Sequence, residues 1–84
     1  MNKELIKSLL EKAFQQSTKT PSLWQLPKTL QIKNQLEAAK SVQEVVSLLE
    51  HNSTFLQEAL GLNHALFTET VNRIKGTNES TTGN

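Results

Sequence analysis

Two histidines, eight glutamates and no aspartate or cysteine are what this 84-residue chain offers for acid–base, metal or nucleophilic chemistry. A metal site would have to draw on His51, His64 and Glu50 or Glu58. His51 falls in the last turn of an expected helix, where the dipole favours a cation, and His64 opens another helix as a surface residue. Nothing in the sequence brings Glu58 and Glu69 together as an acid pair. Serine–histidine catalysis lacks a G-x-S-x-G elbow, and without Asp its third member would have to be a Glu. The absence of Cys removes disulfides, Cys-based zinc sites and thiol catalysis together. Gly stands only at 61, 76 and 83, which leaves no loop able to cradle a phosphate and disfavours hairpins. The chain is therefore expected to be non-enzymatic, with no metal and no cofactor.

Segment 53–75 has the pattern of a binding motif. Thr54–Leu60 reads as a first helix, Gly61-Leu62-Asn63 as a turn and 64–75 as a second helix. Leu56, Leu60, Leu62, Phe67 and Val71 fall where such a unit needs its packing, and 42–51 would supply a supporting helix. Over about a quarter of the chain this resembles DNA-binding helix–turn–helix units. The resemblance implies contacts from Asn63, His64, Thr68, Arg73 and Lys75. Gln57 stands where such units carry a small residue. Glu69 lies in the would-be recognition helix, whose first two turns hold no Lys or Arg. Phosphate neutralisation supplies much of protein–DNA affinity, and Arg73 and Lys75 are the only basic residues after position 40.

A different kind of site lies at 21–27, Pro-Ser-Leu-Trp-Gln-Leu-Pro. Trp24 between two prolines has two readings. As a core plug it would close the open end of a helical bundle, which is the expected arrangement. As an exposed anchor it would form, with Leu23 and Leu26, the aromatic centre of a binding surface. Lys28, Lys33 and Lys40, with Lys3 and Lys7, form a candidate basic patch for an acidic partner.

The elements that must position these residues are helical. Leu5, Leu9 and Ala13, beside Ile6, Leu10 and Phe14, give one stripe of an amphipathic helix over 2–16. Ser17–Ser22 breaks it, because Pro21 disfavours helix at Thr20 and the hydroxyls compete for backbone hydrogen bonds. Pro27 suits the first turn of the next helix, 28–40, whose looser stripe is Leu30, Ile32, Leu36 and Ala39. Ser41-Val42-Gln43-Glu44 has capping-box form and predicts a break near Lys40-Ser41, against the rival of one continuous helix. Val42, Val45, Val46, Leu48 and Leu49 follow as a buried face. Asn52-Ser53 offers an N-cap, Gly61 a C-terminal stop, Asn63 a further cap and Gly76 a second stop. Residues 77–84 hold nothing to bury and are expected to be a flexible tail. Ser8–Glu11 recurs as Ser47–Glu50, a four-residue match attributed to chance.

Leu, Ile, Val and Phe make up about 27% of the chain, enough for a core, while Ser, Thr, Asn and Gln total 30 residues. The net charge of +1 conceals a division: seven Lys and three Glu in 1–40, then one Arg, one Lys and five Glu in 41–84. The resulting +4 and −3 predict two halves that pack with complementary surfaces, or else the basic patch named above. No apolar run approaches the about 20 residues of a membrane span, and no secretory signal can be placed at the start. A cytoplasmic location is expected, with no membrane partner. The fold expected is a compact all-α bundle of four to five short helices, one domain over 1–76, with a disordered C-terminal tail over 77–84. The function expected is a small protein–protein interaction module: an adaptor, inhibitor or regulatory subunit that binds another protein or itself as a homodimer. Nucleic acid, through 53–75, is the alternative.

Overall fold

Four of the five helices begin or end where a short polar side chain or a glycine satisfies the backbone. In the computed structural model, which describes residues 1–82 and the side chains of 1–77, the chain forms α1 (Lys3–Phe14), α2 (Leu26–Ala38), α3 (Val42–His51), α4 (Ser53–Leu60) and α5 (His64–Thr82). No strand occurs among the described residues. Asn2 Oδ1 accepts from the Leu5 N–H at 3.0 Å and opens α1. Ser41 Oγ accepts from the Glu44 N–H at 3.1 Å and opens α3. The Glu44 carboxylate reaches back to the Lys40 N–H at 3.0 Å, one residue before the N-cap position that a capping box normally serves. The expected break between α2 and α3 is therefore built by the Ser41–Glu44 pair. Ser41→Ala should cost about 1 kcal/mol of stability, read from the shift of a urea unfolding midpoint at constant slope.

Three boundaries differ from expectation. The Asn52 side chain does not cap α4. Its Nδ2 donates to the Leu48 carbonyl at 2.8 Å and closes α3 instead. α5 continues through Gly76 to Thr82, because Gly76 keeps helical backbone and Gly61 alone among the described glycines has positive φ. The expected tail thus falls partly on α5, and Gly83 and Asn84 lie outside the described residues. α2 starts at Leu26, with Pro27 in its first turn.

The core sits between α3 and α5, with Leu49, Ile74 and Val45 fully enclosed. α1 lies along α5 and contributes Ile6, while α2 lies along α3 and contributes Ile32. Thr70 is the one buried polar side chain among those described, and its hydroxyl donates to the Leu66 carbonyl at 2.9 Å. The five helices give a Cα radius of gyration of 12.6 Å, against about 12 Å for a compact chain of this length. No helix among the described residues is long and apolar enough to cross a membrane.

Among the described residues the two halves of opposite charge do not meet through ion pairs. Among the described side chains, Lys7–Glu11 stays within α1, Arg73–Glu69 within α5, and Lys75–Glu50 joins α5 to α3. All three pairs lie within one half of the chain. The halves are joined by apolar packing of α1 on α5 and α2 on α3. The charge asymmetry is left on the surface.

Candidate functional site

Trp24 does not plug the core. Its side chain is 89% exposed and the adjoining Leu23 77%. The reason is local. Ser22 and Gln25 exchange hydrogen bonds, the Ser22 N–H donating to Gln25 Oε1 at 2.9 Å and the Gln25 N–H to Ser22 Oγ at 3.3 Å. The Leu26 N–H also donates to the Ser22 carbonyl at 3.0 Å. Ser22-Leu23-Trp24-Gln25 is thus a capping box of S-x-x-Q form that winds a helical turn ahead of α2. That turn holds Leu23 and Trp24 outward on an ordered backbone. The S-x-x-Q spacing is the sequence signal that identifies it, and the prolines on either side obscured it.

The connector that carries this turn is fastened at its other end. The N–H groups of Thr18 and Lys19 donate to the Leu60 carbonyl at 2.9 and 3.1 Å, and the Thr18 hydroxyl to the Gly61 carbonyl at 2.8 Å. These bonds tie residues 18–19 to the end of α4. They also satisfy carbonyls that the helix itself leaves open.

α2 presents two apolar faces. Ile32 and Ala39 are buried and Leu36 half-buried against α3, while Leu26 is 41% and Leu30 49% exposed on the other side. Leu30 therefore leaves the core stripe assigned to it. It stands two residues from Ile32, about 200° round the helix, and the two cannot share a face. Leu23, Leu26, Pro27 and Leu30 instead form an outward i, i+3, i+4, i+7 series, the spacing by which a helix fills a partner's groove. Leu5, expected in the α1 stripe, is also exposed, at 43%.

Lys28, Lys33 and Lys40 stand at separate positions along α2 and past its end. The Lys28 ammonium lies over the Phe55 ring of α4, 4.7 Å from its centroid. Lys33 is exposed and about 140° further round α2. Lys40 lies beyond the helix end, in the link to α3. Lys28 and Lys33 thus border the outward apolar series on two sides.

The second candidate surface is the outer face of α5. The turn 61–63 joins α4 to α5, with Gly61 in the left-handed conformation and Asn63 Oδ1 accepting from the Ala65 and Leu66 N–H groups at 2.8 and 3.3 Å. His64, Ala65, Thr68, Glu69, Asn72 and Arg73 line a shallow open depression there. Of the residues named for nucleic acid, Asn63 is engaged as the cap and His64 Nδ1 lies 3.2 Å from Gln57 Oε1. Arg73 is paired with Glu69 at 2.8 Å and Lys75 with Glu50 at 3.3 Å. Thr68 is exposed. Both basic groups of the acidic half are therefore partnered by carboxylates. Among the described residues no three His, Asp or Glu side chains converge on a point that could hold a metal ion.

No known protein family matches the chain, and neither a curated protein nor a solved structure matches it.

Proposed function

We propose that this chain is a small non-enzymatic protein-interaction module whose contact surface is the outward face of residues 23–30. The observation that carries the reading is the exposure of Trp24 beside Leu23 on a turn fixed by the Ser22–Gln25 box. A buried aromatic would serve the fold. One held out in solvent by a fixed backbone turn has already lost its main-chain freedom and gains only when something covers it. The outward leucines extend that surface along α2, and Lys28 and Lys33 give it a basic border suited to an acidic rim.

The test compares two baits in quantitative affinity capture from the native host, the unaltered chain and Trp24→Ala. Proteins retained by the first and lost from the second are the expected result; identical captures would remove the surface. Because Trp24 contributes nothing to the core, Trp24→Ala should leave unfolding stability within about 0.5 kcal/mol of the parent, measured by thermal melt. At high dilution the Trp24 emission should be that of a solvated indole, shifting to the blue when a partner binds.

A second reading is a DNA-binding regulator built on 53–75. It is favoured by the three-residue turn with left-handed Gly61 and by the open outer face of α5. Titration against random duplex at two salt concentrations checks it. Association that weakens steeply with salt supports the reading, and no association at low salt removes it.

A further inference from the structure

We infer that the occupant of the 23–30 face is a second copy of this chain, related by a two-fold axis across α2. The inference rests on the reading of that face as a protein-binding surface and names what covers it. At one end of α2 is a knob, Leu23 and Trp24, exposed and held by the Ser22–Gln25 box. At the other end is an open groove between α2 and α3, of about 1130 Å³, whose lining includes Ala38, Ser41, Ser47 and Leu48. Small side chains at three of those positions leave the floor of this shallow, open groove accessible to an indole. Knob and groove lie along one continuous surface, since Gln35 and Ala38 line both the groove and the outer face of α2 that begins at Pro27 and Leu30.

Trp24 lies in the helical turn two residues ahead of α2, and Ala38 is the last residue of α2. A helical path over those fourteen residues makes about four turns and roughly 21 Å, which puts the two on similar sides. Two antiparallel α2 helices crossing at Gln31 would set the Trp24 of each copy at the Ala38 of the other. Both knobs would be seated at once, the closed arrangement that a two-fold axis gives.

Charge follows the same pairing. The charged residues of the outward stretch 23–34 are Lys28, over the Phe55 ring, and Lys33, and it holds no carboxylate. The groove is lined by Glu44 and Glu50, the latter also 3.3 Å from Lys75. The same charge asymmetry that forms no ion pair across the two halves among the described residues of one chain is complementary between two. Between knob and groove the face carries Gln31, Asn34 and Gln35, uncharged amides that both donate and accept and can pair with their own copies.

Sedimentation of the intact chain over a range from micromolar to about millimolar tests this. A reversible monomer–dimer equilibrium, with Trp24 emission moving to the blue as dimer forms, is expected. A chain that stays monomeric throughout, or that forms open-ended oligomers, overturns it. Trp24→Ala and Ala38→Lys should each weaken the dimer by about 100-fold or more, since each removes both seats. Neither residue is buried, and circular dichroism checks that both variants fold. Mixing the two variants supplies the specific readout, because one intact Trp24 then meets one intact groove. Dimer should reappear in the mixture beyond either variant alone, and its failure to do so overturns the knob-and-groove pairing. A monomeric chain whose captures still depend on Trp24 would remove the second copy while leaving the interaction reading in place; captures indifferent to Trp24 would remove both.

Discussion

Leu49→Ala should destabilise the chain by about 3–4 kcal/mol, among the largest effects expected of a single truncation in it. Leu49 is 1% exposed, on the face of α3 that meets α5, beside Ile74 and Val45. Removal of its side chain forfeits the burial of three carbons and leaves a cavity in the most enclosed part of the core. A domain of this length is stable by about 4–13 kcal/mol in all, so the loss is a large fraction of the total. Thermal unfolding followed by circular dichroism should show a midpoint lower by about 15–25 °C. Leu30→Ala provides the internal contrast. It makes the same chemical change on the exposed face of α2, and should move the midpoint by no more than a few degrees. Equal losses at the two positions would mean that the outward face of α2 is part of the core.

That contrast marks where the sequence was legible and where it was not. Ser41 and Asn63 each cap the helix that their position predicts, because capping is a local matter of one side chain and an N–H three residues on. The inward rows of α3 and α5 were equally legible, since each has a single apolar face. α2 has two. Leu26 and Leu30 on one side and Ile32 and Leu36 on the other are comparable candidates for burial, and only the position of α3 decides between them. The exposure of Trp24 follows from the Ser22–Gln25 box, which is local; the expectation of a core plug rested on a lone Trp between two prolines, which masked that spacing. The charge asymmetry was visible in the sequence as a difference between halves. That it stays outside the fold could be learned only from where the ion pairs lie. The two glycines at 61 and 76 look alike locally, each following an apolar-periodic segment, yet one ends its helix and the other does not.

Opposite signs are therefore expected at these two glycines. Gly61→Ala should destabilise by about 2–3 kcal/mol, and Gly76→Ala should stabilise by about 0.5–1 kcal/mol. Gly61 has φ +61°, where any Cβ is strained, and a Cβ there would run into Thr18 Oγ1 and lie 3.0 Å from Lys19 Cγ. The clash falls on the segment that hangs from α4 by its bonds to the Leu60 and Gly61 carbonyls. Gly76 has helical backbone and open space where a Cβ would stand, so Ala adds helix propensity at no steric cost. Urea unfolding of the two variants beside the parent measures both signs. Stabilisation at 76 requires that α5 run through that residue, and a loss there would return the helix end to Gly76. Gly61→Ala has a further consequence, because residues 18–19 lead directly to the Ser22–Gln25 turn. Release of Thr18 from Gly61 should loosen the turn that presents Trp24, so binding through residues 23–30 should weaken under conditions where the variant remains folded. Gln25→Ala, which removes one of the box's two side-chain acceptors without touching Gly61, should weaken the same binding with a stability loss of only about 1 kcal/mol. Unchanged binding in a folded Gln25→Ala variant would mean that an ordered turn is not what makes Trp24 an anchor.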